Sequence, residues 1–472
     1  MDNRRSVWRE VDCARERFIA LSDRLWSMPE LCYLETRSAA EHAAQLSAEG
    51  FRVTEALADI PTAMMGEAGA GGPVIAFLGE YDALPGLSQE SGIAEPKPIE
   101  AGGNGHGCGH NLLGSAAMLA ATALKNWLAE TGRAGRVRYY GCPAEEGGAA
   151  KAFMVRAGAF NDVDIAISWH PDGFWQVLPA ISLANTRIDF SFHGRASHAS
   201  AAPELGRSAL DAVELMNIGA NYLREHMPQD ARLHYALLDA GGIAPNVVQA
   251  FARVRYLIRA ADLPALMELV GRVRKIADGA AMMTETRVET RVISGVANLL
   301  PNRPLEEALQ EIMEELGPPP FDAADRAFAE KIRATLSPQD IAAAWRGVGV
   351  DMREDLPLAD FTVPLDAPRR PLIGSTDVGD VSWVVPTVQA HAPNMAIGTQ
   401  LHTWQVVAQG KMPAAHKALV QVAKAMAGIG QRAIEDPDLI VRAKAALHRQ
   451  AKGAYSSPIP AEIGPSLDMS KG

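Results

Sequence analysis

Apolar residues recur at helical spacing near the start of the chain. Val7, Val11, Phe18, Leu21 and Leu25 fall on one face of a helix over about residues 6–27, and a second helix follows over about 36–49. The pattern then changes to short apolar runs alternating with helical stretches. Pro73 to Leu78 reads as a buried strand, Asn111 to Glu130 as an Ala/Leu-rich helix, and Arg136–Tyr140 and Asp164–Trp169 as two further strands. Such alternation predicts an α/β domain whose mostly parallel sheet is flanked by helices.

From residue 184 the rhythm differs. A strand over Arg187–Phe192 is followed by a helix over Pro203–Met227, strands over Leu233–Leu238 and Val247–Ile258, a helix over Leu263–Met282 and a strand over Arg287–Ile293. That β-α-β-β-α-β order is the ferredoxin-like α+β unit. It predicts an inserted domain over residues 184–297 within a discontinuous domain of residues 1–183 and 298–472. Proline and charge are dense over 298–370, which predicts an elaborated connection. The α/β pattern resumes at 371 and runs to a helix over about 413–430, and the last twenty residues predict a loosely held tail.

Composition adds limits. The chain has 472 residues, 48% hydrophobic and 21% charged, enough to bury sizeable cores. A net charge of −11 excludes the diffuse basic footprint of a nucleic-acid binder. It leaves room for a carboxylate ligand, because a local Arg can reverse the field inside one cleft. The first residues lack an apolar signal core and no run of about 18 apolar residues appears, so no membrane partner is expected. Four cysteines (Cys13, Cys32, Cys108, Cys142) are too few for a disulfide scaffold of this size, which predicts a cytoplasmic chain with reduced thiols.

Chemistry gathers at the strand ends. Glu80 and Asp82 follow the first predicted strand, and His106, Cys108 and His110 precede the long helix. Glu145 and Glu146 follow the second strand, and His170 and Asp172 the third. Open α/β sheets bind ligands outside the carboxyl ends of their strands. Residues two apart in extended chain face the same way, so Cys108 and His110 can reach one point, and the glycines around them permit close approach. Thiolate and imidazole suit zinc-like metals, and carboxylates also suit manganese. Adjacent carboxylates can divide the work, one ligating metal and the other taking a proton from water.

Together, Pro29–Leu31 with Glu35, Asp82–Pro85, Gly107–His110, Pro143–Gly147, His170, and Gly194–Ala199 with Pro203 resemble the bimetal aminoacylase/carboxypeptidase family of amidohydrolases, in the subfamily that uses Cys in its metal site. The run Gly374–Trp383 and the segment Leu401–Trp404 narrow the resemblance to members that cleave p-aminobenzoyl-glutamate. The resemblance implies a catalytic domain with an inserted lid and dimerisation domain. It implies two divalent ions, Mn or Zn, held by Cys108, His110, Glu146, His170 and His402, with Glu145 as general base and Asp82 orienting a ligand. His106 is left outside the ligand set, and His391 and His416 compete with His402 for the last ligand position. Many relatives carry His where Glu80 stands. The lid would contribute His198, Asn246 and Arg259 to the substrate carboxylate and the reacting carbonyl, some of them across a dimer interface. His42, His193, His226, His234 and His448 read as ordinary satisfied or solvated residues.

The activity so implied is hydrolysis of an N-acyl amino acid, p-aminobenzoyl-glutamate foremost, by a homodimer or by a heterodimer with a related subunit. Rival readings are another conjugate such as an indole-acetyl amino acid, or a subunit active only beside a partner chain.

Overall fold

In the computed structural model, residues 4–178, 180–370, 374–451 and 455–470 are described. Helices α1 (Arg4–Trp26) and α2 (Thr36–Ala48) lead into strands β1 (Arg52–Glu55), β2 (Met64–Ala70) and β3 (Val74–Glu80). Helix α3 (His110–Thr131), β4 (Gly135–Cys142), α4 (Ala150–Arg156), β5 (Ile165–Asp172) and β6 (Gln176–Val177) follow. After a second sheet, described below, the chain returns through helices α7 (Arg303–Leu316), α8 (Ala323–Arg333), α9 (Pro338–Val348) and α10 (Val378–Ser382) to β11 (Thr387–Pro393). Helices α11 (Trp404–Gln409), α12 (Pro413–Glu435) and α13 (Pro437–Gln450) complete this part.

Seven strands form one sheet in the order β1-β2-β4-β3-β5-β11-β6. The four inner strands β4, β3, β5 and β11 run parallel, and β1, β2 and β6 add antiparallel edges. All seven residues of β3 are buried, and its period of two splits them between two cores. Ile75 and Phe77 pack with α1, α3 and α12, while Val74, Ala76 and Leu78 pack towards α4 on the opposite face. The short outer strands carry too few apolar residues to register as strands in the sequence.

The second sheet contains β7 (Ala184–His193), β8 (Arg232–Asp239), β9 (Phe251–Ala260) and β10 (Arg287–Val296), ordered β10-β7-β9-β8 with every pair antiparallel. Helices α5 (Ala209–Leu223) and α6 (Leu263–Thr284) cover one face, which gives the ferredoxin-like arrangement. On β9 the burial alternates strictly: Ala252, Val254, Tyr256, Ile258 and Ala260 face the helices. Arg255, Leu257 and Arg259 therefore share the other face.

Two expectations change. The helix predicted over Pro203–Met227 is shorter: Pro203–Leu205 forms a single 3-10 turn, Gly206 is extended, and α5 starts only where the Ser208 side chain accepts from the Asp211 N–H. The tail is docked where a loose one was expected. Arg156 donates to the Pro460 and Ile463 carbonyls at 2.9 and 2.8 Å, Tyr455 Oη donates to Asp380 at 2.6 Å, and Ile459 is buried. A half-buried guanidinium supplied by another element satisfies backbone carbonyls that have no regular structure of their own.

Candidate metal centre and cavity

Each donor reaches the site because a strand ends there. Between β4 and β5 the chain crosses from one side of β3 to the other, so the loops after β3, β4 and β5 converge at the carboxyl edge of the sheet. Gly109 caps α3 with φ +74°, and a Cβ there would stand 2.9 Å from Pro171 Cγ. Only glycine fits that backbone and that approach. It sets Cys108 just ahead of the helix and His110 as the first helical residue.

The donors form three groups: two share one sulfur, and the third joins Glu80, His110 and Glu145. Ligand atoms of Cys108, His110 and His170 lie within 4.8 Å of one another, and so do those of Cys108, Glu146 and His402. His170 Nε2 is 3.4 Å from Cys108 Sγ, and His402 Nε2 is 3.2 Å from Glu146 Oε2. Both ring orientations are fixed from behind. His110 Nδ1 bonds Asp82 Oδ1 at 3.0 Å, and His170 Nδ1 donates to the Pro171 carbonyl at 2.9 Å, so each Nε2 turns into the cluster. Asp82 also accepts from the Glu146 N–H at 2.9 Å and from the Cys32 thiol at 3.4 Å.

His402 adopts a left-handed backbone, φ +63°, which is costly for a residue with a Cβ. Its N–H donates to Gly107 O at 2.8 Å, tying its loop to the Cys108 loop. Strain of this kind collects at functional sites. Its competitors are engaged elsewhere: His391 bonds Asp172, and His416 bonds Asp23 at 2.9 Å. His106 bonds the Leu25 carbonyl at 3.0 Å, outside all three groups.

The electrostatics fit a cation. Burial, then Glu146, push the Cys108 thiol well above its ordinary range. Burial and His391 bring His170 down to about 4, keeping it a neutral donor. Although burial would lower His110, Cys108 and Asp82 hold it well above its usual value. The Glu145 carboxyl is pushed well above its normal range by burial, then by Glu80 and Glu146. His110 Nε2, Glu80 Oε2 and Glu146 Oε1 are buried without a hydrogen-bond partner. His110 Nε2 and Glu80 Oε2 meet only as an ion pair at 3.3 Å and Glu146 Oε1 meets no donor, and these atoms, beside a thiol and two further imidazoles, fit a site for divalent metal.

Beside the cluster lies a cavity of about 660 Å³ lined by Cys108, Glu145, Glu146, His170, His402 and, from β9, Arg259. Ala343, Ala344 and Val348 of α9 form part of its wall, which gives the 298–370 connection a place in the site. His198 and Asn246 do not line it: His198 is bridged to Val247, and its Nδ1 accepts from the Ala201 N–H at 3.2 Å.

Sequence reading passed over one group. Lys151, fully buried in α4, donates to Glu80 Oε1 and to Asp377 Oδ1, each at 2.6 Å. Glu80 Oε2 stands 3.3 Å from His110 Nε2. The available signal was a lysine inside an otherwise apolar stretch, Ala149 to Val155.

Residues 76–351 match peptidase family M20/M25/M40. The chain belongs to the M20 family. As an M20 member it is a hydrolase of amide bonds. It is 45% identical over 468 residues, 97% of each chain, to one of the subunits of the p-aminobenzoyl-glutamate hydrolase of Escherichia coli. It is 30% identical over 453 residues, 93% of this chain and 90% of the relative, to the Xaa-Arg dipeptidase of Mus musculus. The crystal structure of an aminobenzoyl-glutamate utilization protein from Klebsiella pneumoniae shares the fold of this M20 chain, with TM-score 0.57 and 17% identity over 88% of this chain and 96% of that one. Among the described residues, no helix is long and apolar enough to cross a membrane.

Proposed function

We propose that this M20 chain hydrolyses the amide of an N-acyl amino acid, p-aminobenzoyl-glutamate foremost, to p-aminobenzoate and glutamate. One observation carries the reading: a single thiol, Cys108, belongs to two donor groups at once, with Glu145 beside both. Near-complete coverage of a relative named for that hydrolysis supports the substrate.

In this reading Cys108, His110 and His170 would hold one divalent ion, and Glu146 and His402, near the same thiol, would hold a second, Mn or Zn. When bound, the ions supply Lewis acidity, polarising the amide carbonyl and making water more acidic. Glu145 takes the proton of the attacking water and returns it to the leaving amine nitrogen. Asp82 holds the His110 ring and the Glu146 backbone in place. Arg259 grips the substrate carboxylate in the cavity.

Residues 1–183 and 298–472 act as the catalytic domain and 184–297 as the lid. His198 and Asn246 do not line the cavity, so they act from a second chain, either another copy or a related subunit. The four cysteines are all free, which supports a cytoplasmic protein.

The test is release of p-aminobenzoate by the lone purified chain supplied with Mn²⁺, beside Glu145→Gln. Release that disappears in the variant, with metal content unchanged by mass spectrometry, supports both reaction and base. Near-normal turnover by Glu145→Gln refutes the assignment. A lone chain that runs as a monomer and works only after a related subunit is added identifies the second chain as that subunit.

A further inference from the structure

The cavity beyond the metal donors is cationic, and its charges can be accounted for one by one. Of its carboxylates, Glu145 and Glu146 belong to the cluster, Asp377 is held by Lys151, and Asp172 is held by His391 and by Gln176 Nε2 at 2.9 Å. Three guanidiniums also line it: Arg187, Arg259 and Arg369. Arg369 donates only to neutral acceptors, Gln176 Oε1 at 3.1 Å and the Val177 and Pro364 carbonyls at 2.8 and 3.0 Å. Arg259 donates to Ser375 Oγ at 3.2 Å. Arg187 has no hydrogen-bond or ion-pair partner among the described residues.

Register explains the position of Arg187. On β7 and β9, Asp189 is opposite Arg255, Arg187 opposite Leu257, and Asn185 opposite Arg259, all on the face turned from the helices. Asp189 is used up by Arg255, through contacts of 2.6 and 2.9 Å. Arg187 therefore lies between two other arginines, and the carboxylate next to it on that face of β7, Asp189, is already paired. It also lies against the turn that carries the two adjacent glutamates, since a Cβ on Gly147 would stand 3.3 Å from Arg187 Nη1. A largely desolvated guanidinium among like charges is costly until an anion joins it.

We infer that Arg187 is a specificity residue that binds a second carboxylate on the substrate, the side-chain carboxylate of an acidic amino acid whose α-carboxylate Arg259 holds. The inference rests on the proposed amide hydrolysis and narrows its substrates to conjugates of dicarboxylic amino acids.

The test compares p-aminobenzoyl-glutamate with its neutral counterpart p-aminobenzoyl-glutamine, on the Mn²⁺-loaded full chain, Arg187→Gln and Arg187→Lys. Wild type should favour the glutamate conjugate in kcat/KM by about 10- to 100-fold, the worth of a charge-assisted contact left unmade. Arg187→Gln should bring the ratio close to one by raising KM for the glutamate conjugate alone, and Arg187→Lys should keep part of the preference. An equal loss on both conjugates, or an unchanged ratio, overturns the inference. Turnover of neither conjugate by wild type counts against the substrate reading instead. Calorimetric binding of both conjugates to the same proteins then decides about Arg187, and a wild type that binds glutamate and glutamine conjugates equally overturns it.

Discussion

Removing Lys151 leaves Asp377 buried with no counter-ion and Glu80 with only His110, at 3.3 Å. Its ammonium is 2.6 Å from both Glu80 and Asp377, and none of the three side chains is more than 2% exposed. Burial alone would lower the lysine, yet Asp377 and then Glu80 hold it well above its ordinary value, so it is charged at neutral pH. Lys151→Met keeps the length of the side chain and removes the charge. Breaking a buried pair by deleting one partner costs about 3–5 kcal/mol. With an unfolding entropy of about 2.1 cal/mol/K per residue, 472 residues give about 1 kcal/mol per kelvin, so the thermal midpoint should fall by about 3–5 °C. Differential scanning fluorimetry in EDTA reads this without contribution from metal. The triple variant Glu80→Gln, Lys151→Met, Asp377→Asn removes all three charges and should recover most of the loss. A Lys151→Met midpoint within about 1 °C of wild type, or a triple variant no better than the single one, refutes the argument.

Cys108→Ser should weaken metal retention against a chelator by at least about tenfold, because a hydroxyl replaces the soft donor shared by two groups. With Co²⁺ the thiolate charge-transfer band should vanish, and a persisting band would place the metal elsewhere. His42, buried between Tyr81 and Tyr139, is lowered to about 4 by burial. The unfolded chain, with an ordinary value of about 6.5, takes up this proton first, so stability should fall as pH drops from about 6.5 to 4. His42→Gln should flatten that slope by up to about 1.4 kcal/mol per pH unit, measured by urea unfolding at several pH values; parallel slopes would contradict it. Gly79→Ala would set a Cβ 2.2 Å from the buried Tyr139 Oη, next to Glu80. It should cost about 1–3 kcal/mol, seen as a lowered midpoint, and an unchanged midpoint would show that Tyr139 can move aside.

The long elements were legible in the chain because their apolar spacing is strong: β3 is apolar on both faces, and α3 is rich in Ala and Leu. So was the gathering of candidate donors, because strand ends must meet at one edge of a parallel sheet: Asp82, Glu145 and Glu146 follow strands, His170 lies near the end of one, and Cys108 and His110 stand at the start of α3. Tertiary structure decided what depends on pairing between distant segments. The Arg156 contacts that dock the tail join residues some 300 apart, and Lys151 reaches Asp377 across 226 positions. Arg187 reads in the sequence as an ordinary strand residue. Only the register of β7 against β9 shows that Arg255 takes the nearby Asp189, leaving Arg187 in the cavity without an anion. Local spacing determines which way a side chain faces within its own strand, whereas the partner it finds depends on which strand the fold lays alongside.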